Sequence, residues 1–165
     1  MGLCPTSLYL PTLTVRSDKW LALSPGKIAP EIKGVTPLGD SISSKDLKGK
    51  IIYADVWATW CGPCKAEIPF LKRIQDVYGQ NENIVFLNIS VDKNIELWKR
   101  MLKEDSSWKG THINTDFSIY DAYLMNGIPR YILIDKDGKI VTADAPSPSS
   151  GQVMKEINKL LDFGE

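Results

Sequence analysis

The sequence predicts one α/β domain, a central mixed β-sheet with helices on both sides. Three observations carry that prediction. Ile51 to Trp57 and Ile84 to Val91 are near-continuous apolar runs, the pattern of strands covered on both sheet faces. Between them, residues 63–78 change to a helical period. The remaining elements follow the order of an inserted βα-like segment and then ββα, after an initial βαβ. A chain of 165 residues is long enough for one such domain with its own core.

Residues 1–24 have no clear period, although Leu8 to Val15 fits a short edge strand. They are read as an N-terminal segment, and residues 25–165 as the domain. Ala29 to Val35 and Asp40 to Ser43 flank a Pro37-Leu38-Gly39-Asp40 turn, which predicts a short strand pair. Ile51 to Trp57 is the first core strand. In the helix that follows, Cys64, Ile68, Leu71 and Tyr78 share one face, with Ile74 and Val77 beside it. Pro69 is expected to kink this helix, because proline lacks a donor and crowds the preceding turn. Gly79 ends it, and Ile84 to Val91 is the second core strand.

Ile95, Trp98 and Leu102 mark the next helix, Thr111 to Asn114 a short strand, and Phe117 to Leu124 a short helix. Tyr131 to Ile134 and Lys139 to Val141 surround Asp135-Lys136-Asp137-Gly138, a hairpin signal. Pro146 to Gly151 links to a last helix with Val153, Ile157, Leu160 and Leu161 on its apolar face. Ser149 and Gln152 have capping-box spacing at its start.

Composition narrows the function. The apolar fraction is 43% and the charged fraction 24%, both ordinary for a globular domain. Twenty basic residues balance 20 acidic ones, so no basic field favours nucleic acid. No apolar stretch approaches the ~20 residues of a membrane span. The first residues lack a basic start, and Pro5 and Pro11 interrupt them, so they do not read as a signal peptide. A longer exported chain whose targeting segment is missing stays compatible with this. Cys4 invites a lipidation reading, but Met-Gly-Leu is too short for an apolar signal core. A free thiol in a mobile terminus is the expectation.

Cys61 and Cys64 hold the chemistry. Zinc needs about four ligands, usually two such pairs or one pair with histidines. This chain offers one Cys-x-x-Cys, one distant Cys4 and one histidine, His112, read as a polar residue near the surface. No metal is expected. A structural disulfide closing so short a loop removes little chain entropy. A reactive dithiol fits better. Cys61 falls at the start of a helix, where unpaired N–H groups and the helix dipole stabilise a thiolate. Cys64 is one turn further in, placed to resolve a mixed disulfide. Pro63 near the first helical position costs no needed hydrogen bond, and Gly62 leaves room for a substrate backbone. Asp55 lies inside a doubly buried strand. Desolvation would raise its pKa and make it a proton acceptor for Cys64. A lysine-bonded or backbone-bonded structural acid is the equal alternative.

Trp60-Cys61-Gly62-Pro63-Cys64-Lys65 resembles the active site of thioredoxins. Asp55, six residues before Cys61, matches their buried aspartate, and Pro69 the proline of their active-site helix. Gly127-Ile128-Pro129 is similar to the loop whose proline is cis and faces the cysteines. The likeness is closer to the TlpA/ResA-like branch of exported thiol–disulfide oxidoreductases. Pro25 to Pro30, Leu47 to Lys50 and Asn88 to Asp92 are similar to segments of that branch, and Lys93 to Asn126 to its insertion.

The resemblance implies a thioredoxin-like fold with that insertion between the second core strand and the cis-proline loop. It also implies dithiol–disulfide exchange without a cofactor, in a monomer working outside the cytoplasm. The partners it implies are a disulfide-bearing protein substrate and an upstream thiol reductase. Trp60, Gly62, Pro63, Gly127, Ile128, Pro129 and Arg130 would contact substrate, and Trp57 is read as core. Arg130 replaces the threonine common in relatives. Either it tunes substrate choice or thiolate, or it is a solvated loop charge. Glu67 is read as a helix-surface acid near the positive helix end. Two rivals remain: a non-catalytic binding module of a larger envelope protein, and a peroxiredoxin-like peroxidase. The second needs Pro and Thr where this chain has Ala54 and Ala58.

Overall fold

The computed structural model describes residues 17–162. Cys4 and the edge strand expected at Leu8 to Val15 lie outside them. The strands are β1 (Lys33–Val35), β2 (Ser41–Ser43), β3 (Ile51–Trp57), β4 (Ile84–Ser90), β5 (Thr111–Asn114), β6 (Arg130–Ile134) and β7 (Ile140–Thr142). The helices are α1 (Gly62–Tyr78), α2 (Ile95–Glu104), α3 (Ser118–Ala122) and α4 (Val153–Asp162). Residues 17–22 are also helical, in a stretch where the sequence has no clear period.

All seven strands form one sheet in the order β2-β1-β5-β4-β3-β6-β7. β3 runs parallel to β4 and antiparallel to β6, and β4 runs parallel to β5. Every residue of β3 is buried, as its near-continuous apolar run predicts, Asp55 included. The segment between β4 and residue 127 contributes β5, which lies between β4 and β1. The hairpin of β6 and β7 turns through Asp135 to Gly138, with Asp135 Oδ1 accepting from the N–H groups of Asp137 and Lys139. A turn tied by Thr36 and Asp40 joins β1 to β2.

α1 buries Cys64, Ile68, Leu71, Ile74, Gln75 and Tyr78 and runs unbroken through Pro69. Val77 is exposed, because the 3.6-residue period carries it off the stripe. α4 lies beside α1, where Tyr78 donates its hydroxyl proton to Asn158 Oδ1 at 2.7 Å. The capping box expected at Ser149 does not form. Pro148 to Ser150 is a short 3-10 turn, and α4 begins only at Val153. The Ser149 hydroxyl and N–H instead donate to Glu67 on α1, at 2.7 and 2.9 Å. A carboxylate offers a serine a stronger, charge-assisted bond than a free helix end does.

Gly110 closes the loop before β5 with φ +99°, a conformation that side chains disfavour. A Cβ there would stand 2.7 Å from Asn88 Nδ2 and 2.8 Å from the Phe86 carbonyl oxygen. Gly110→Ala is therefore expected to destabilise the fold by about 1–3 kcal/mol, read as a lower urea midpoint at unchanged slope.

Candidate active site

The site begins where β3 ends. Trp57 is fully buried, and the chain then turns through Ala58 to Trp60 into α1. Cys61 is the N-cap of α1, with Pro63 in its first turn. Its Sγ accepts the Cys64 backbone N–H at 3.2 Å, so an orphan donor of the helix start points at the sulfur. Cys61 and Cys64 are joined as a disulfide, with Cα atoms 5.3 Å apart. Cys64 is buried one turn into the helix, while Cys61 retains 5% of its surface beside Trp60, which is 63% exposed. A Cβ at Gly62 would meet no protein atom within 4 Å, so the face above the cysteines is open.

The second wall comes from the start of β6. Val56 pairs with Arg130, so the 58–61 and 127–129 loops leave the same end of the sheet. The Ile128–Pro129 peptide is cis. Gly127 is exposed and has open space where its Cβ would lie. Arg130 is not a solvated loop charge. Its side chain is half-buried, and Nη1 stands 2.8 Å from Asp144 Oδ1.

Asp55 lies behind the disulfide on β3, only 4% exposed. Its Oδ1 has no hydrogen-bond partner. Burial, and then the negative charge of Glu67, push its pKa up to about 8. By register, Tyr131, Asp55, Asn88 and His112 stand side by side across β6, β3, β4 and β5. Residues paired in this way project to one face of a sheet. Gln75 of α1 lies over this row, with Nε2 3.5 Å from Asn88 Oδ1. Asn88 Nδ2 donates to the Lys109 carbonyl at 3.1 Å. His112 is half-buried rather than near the surface. Its ring packs edge-on against Trp108, and desolvation lowers its pKa.

Two groups of residues escape a reading by motif. Gln75 occupies an apolar-stripe position of α1, four residues after Leu71, and that misplaced amide was the available signal. Asp92 follows β4 and is also buried. It accepts from the Thr59 N–H, the Thr59 hydroxyl and the Ser90 hydroxyl. No spacing rule links Thr59 to a residue 33 positions away; only the fold brings them together.

A model of the Redoxin family matches residues 24–161. The thiol-disulfide oxidoreductase ResA of Bacillus subtilis (strain 168) is 31% identical over 145 residues, covering 87% of this chain and 79% of that protein. A ResA of Bacillus cereus is 31% identical over 116 residues, and the match spans 66% of its length and 70% of this chain. The crystal structure of a putative thiol-disulfide oxidoreductase from Bacteroides vulgatus superposes with a TM-score of 0.79 at 37% identity. The superposition covers 84% of this chain and 98% of that one.

The raised pKa of Asp55 has a defined sign for stability. Unfolded, the carboxyl ionises near 3.8; folded, it stays protonated until about 8. Its contribution is full below the unfolded value and is lost as pH rises towards about 8. Asp55→Asn, a neutral isostere, is therefore expected to stabilise the oxidised protein increasingly from pH 4 to 8. The gain should reach on the order of 5 kcal/mol at pH 8, measured by urea unfolding across that range.

Proposed function

We propose that this chain, which belongs to the Redoxin family and within it to the ResA-like thiol–disulfide oxidoreductases, reduces disulfides in other proteins through Cys61 and Cys64. The observation that carries this reading is the sulfur of Cys61 at the N-cap of α1, accepting the Cys64 N–H beside an open face. That donor and the helix dipole favour a thiolate over a thiol once the disulfide is opened.

In the proposed reaction the Cys61 thiolate attacks one sulfur of a substrate disulfide and expels the other as a thiolate. A mixed disulfide joins Cys61 to the substrate. Asp55 takes the Cys64 proton through water, and the Cys64 thiolate attacks the Cys61 sulfur. The Cys61–Cys64 bond re-forms, the substrate leaves as a dithiol, and two electrons have passed to it. An acid with a pKa near 8 and no partner on its Oδ1 suits this task, because it ionises near the ordinary range of a cysteine thiol. Trp60, Gly62, Pro63 and the Gly127 to Pro129 loop form the docking edge. Arg130 acts there through its pairing with Asp144 rather than as a free cation. An upstream dithiol reductase resets the pair, and no cofactor enters.

The resemblance to exported relatives supports work outside the cytoplasm, on exported proteins, with the chain acting as a monomer. Among the described residues no helix is long and apolar enough to cross a membrane. The Gly-Pro dipeptide between the cysteines matches thioredoxin's, whose potential is about −270 mV, which favours a reductant.

Cys61→Ser is expected to abolish insulin reduction, and Cys64→Ser to accumulate a substrate-linked species on non-reducing gels. Activity surviving Cys61→Ser would remove the assignment of the nucleophile. Because Asp55 accepts a proton only when ionised, the resolving step should accelerate as pH rises through about 8. In Asp55→Asn that step should slow by about 10²-fold and lose this inflection, measured by stopped-flow tryptophan fluorescence.

A further inference from the structure

Beside Trp60 lies a depression of about 420 Å³. Trp60 and Thr59 form one wall, and Leu97 of α2 and Phe117, before α3, are on its lining. Val91 is on the lining too, and Lys93 stands with its ammonium 5.5 Å from the centre of the Phe117 ring. Trp60 and Phe117 are large aromatic residues left exposed. Exposed apolar groups that cluster around a hollow mark a contact surface. Trp60 directly precedes Cys61, so this wall stands next to the place where a substrate cysteine meets Cys61.

The wall is fixed from behind. Asp92 is 4% exposed, and both its oxygens are engaged. The Thr59 N–H lies 3.2 and 3.0 Å from Oδ1 and Oδ2, the Thr59 hydroxyl 2.6 Å from Oδ1, and the Ser90 hydroxyl 2.8 Å from Oδ2. Asn114 Nδ2 holds the Asp92 carbonyl at 3.0 Å and Ser90 Oγ at 3.0 Å. β5 thus braces the end of β4, and the end of β4 braces Thr59. A carboxylate buried with this many donors is held in one orientation, since any other leaves a charge unpaired.

We propose that Asp92 is a positioning residue for the protein substrate. Through Thr59 it holds Trp60 as one wall of a subsite, shared with Leu97 and Phe117, that takes a large apolar side chain next to the substrate's reactive cysteine. The inference rests on the oxidoreductase reading above and gives it a substrate preference. The occupant is a side chain of the substrate polypeptide, because the hollow is mainly apolar-walled and continuous with the nucleophile's own segment.

The test uses two synthetic peptide disulfides that differ only in Phe or Ser beside the cysteine. The ratio of their kcat/KM values cancels any loss common to both. The unaltered protein is expected to prefer the Phe peptide by about tenfold, the worth of one partly buried apolar side chain. Asp92→Asn places an amide N–H₂ among donors, and Thr59→Val removes the hydroxyl at constant shape. Both are expected to bring the ratio to within about twofold of one, whereas Thr59→Ser keeps the hydroxyl and the preference. A ratio near one in the unaltered chain overturns the proposal. So does a preference that survives Thr59→Val, or one that Thr59→Ser loses equally. Reduction of dithiobis(nitrobenzoate) separates the two levels. A chain that reduces neither it nor the peptides fails as an oxidoreductase, while reduction without preference removes the subsite alone.

Discussion

The complete burial of β3 is the constraint on which the other parts of this structure depend. A strand covered on both faces and paired on both edges has almost no freedom in register or tilt. β3 is held by β4 and β6 along its length, and its end delivers the chain to Cys61 with little slack. The position of α1 follows, since its N-cap is the fourth residue after β3. The same pairing brings the cis-Pro129 loop and the Asp92 turn to that end of the sheet, one on each side of β3.

Burial also sets the electrostatics. The interior that makes β3 rigid removes water from Asp55, and desolvation rather than a neighbouring cation is the main reason it holds its proton. Asp92 is equally buried but differently partnered. Its oxygens are surrounded by donors from Thr59 and Ser90, so it acts as a fixed joint. Two aspartates, one on β3 and one just past the end of β4, both nearly inaccessible, thus differ through their hydrogen-bond partners. One has a carboxyl oxygen without a hydrogen-bond partner, and the other is tied to a loop.

The row of Asp55, Asn88 and His112 beneath α1 shows how polar groups can share a core. Gln75 and the Lys109 carbonyl meet part of Asn88's hydrogen-bonding capacity. Gly110 has no side chain, and that lets its loop approach the row closely. Glu67 reaches from α1 to Ser149, which links the active-site helix to the segment leading into α4. Its charge adds to the burial that keeps Asp55 protonated.

Much of this was legible in the linear chain, for reasons of short range. Apolar runs give β3 and β4, the 3.6-residue period gives α1, and turn residues give the β6–β7 hairpin, because each depends on neighbours a few positions apart. The cysteine pair at a helix start is local in the same sense, so Cys61 and Cys64 could be singled out before any fold was known. The failures were also local rules, outvoted by distant partners. Ser149 has capping spacing but bonds Glu67, 82 residues away. Whether a donor stands beside Asp55 Oδ1 is likewise set by the packing around β3 and not by spacing along the chain. The joint between Asp92 and Thr59 has no trace in spacing at all. Hydrogen bonds between residues far apart in sequence form only where packing has already removed the alternatives, so assembly of the sheet decides them.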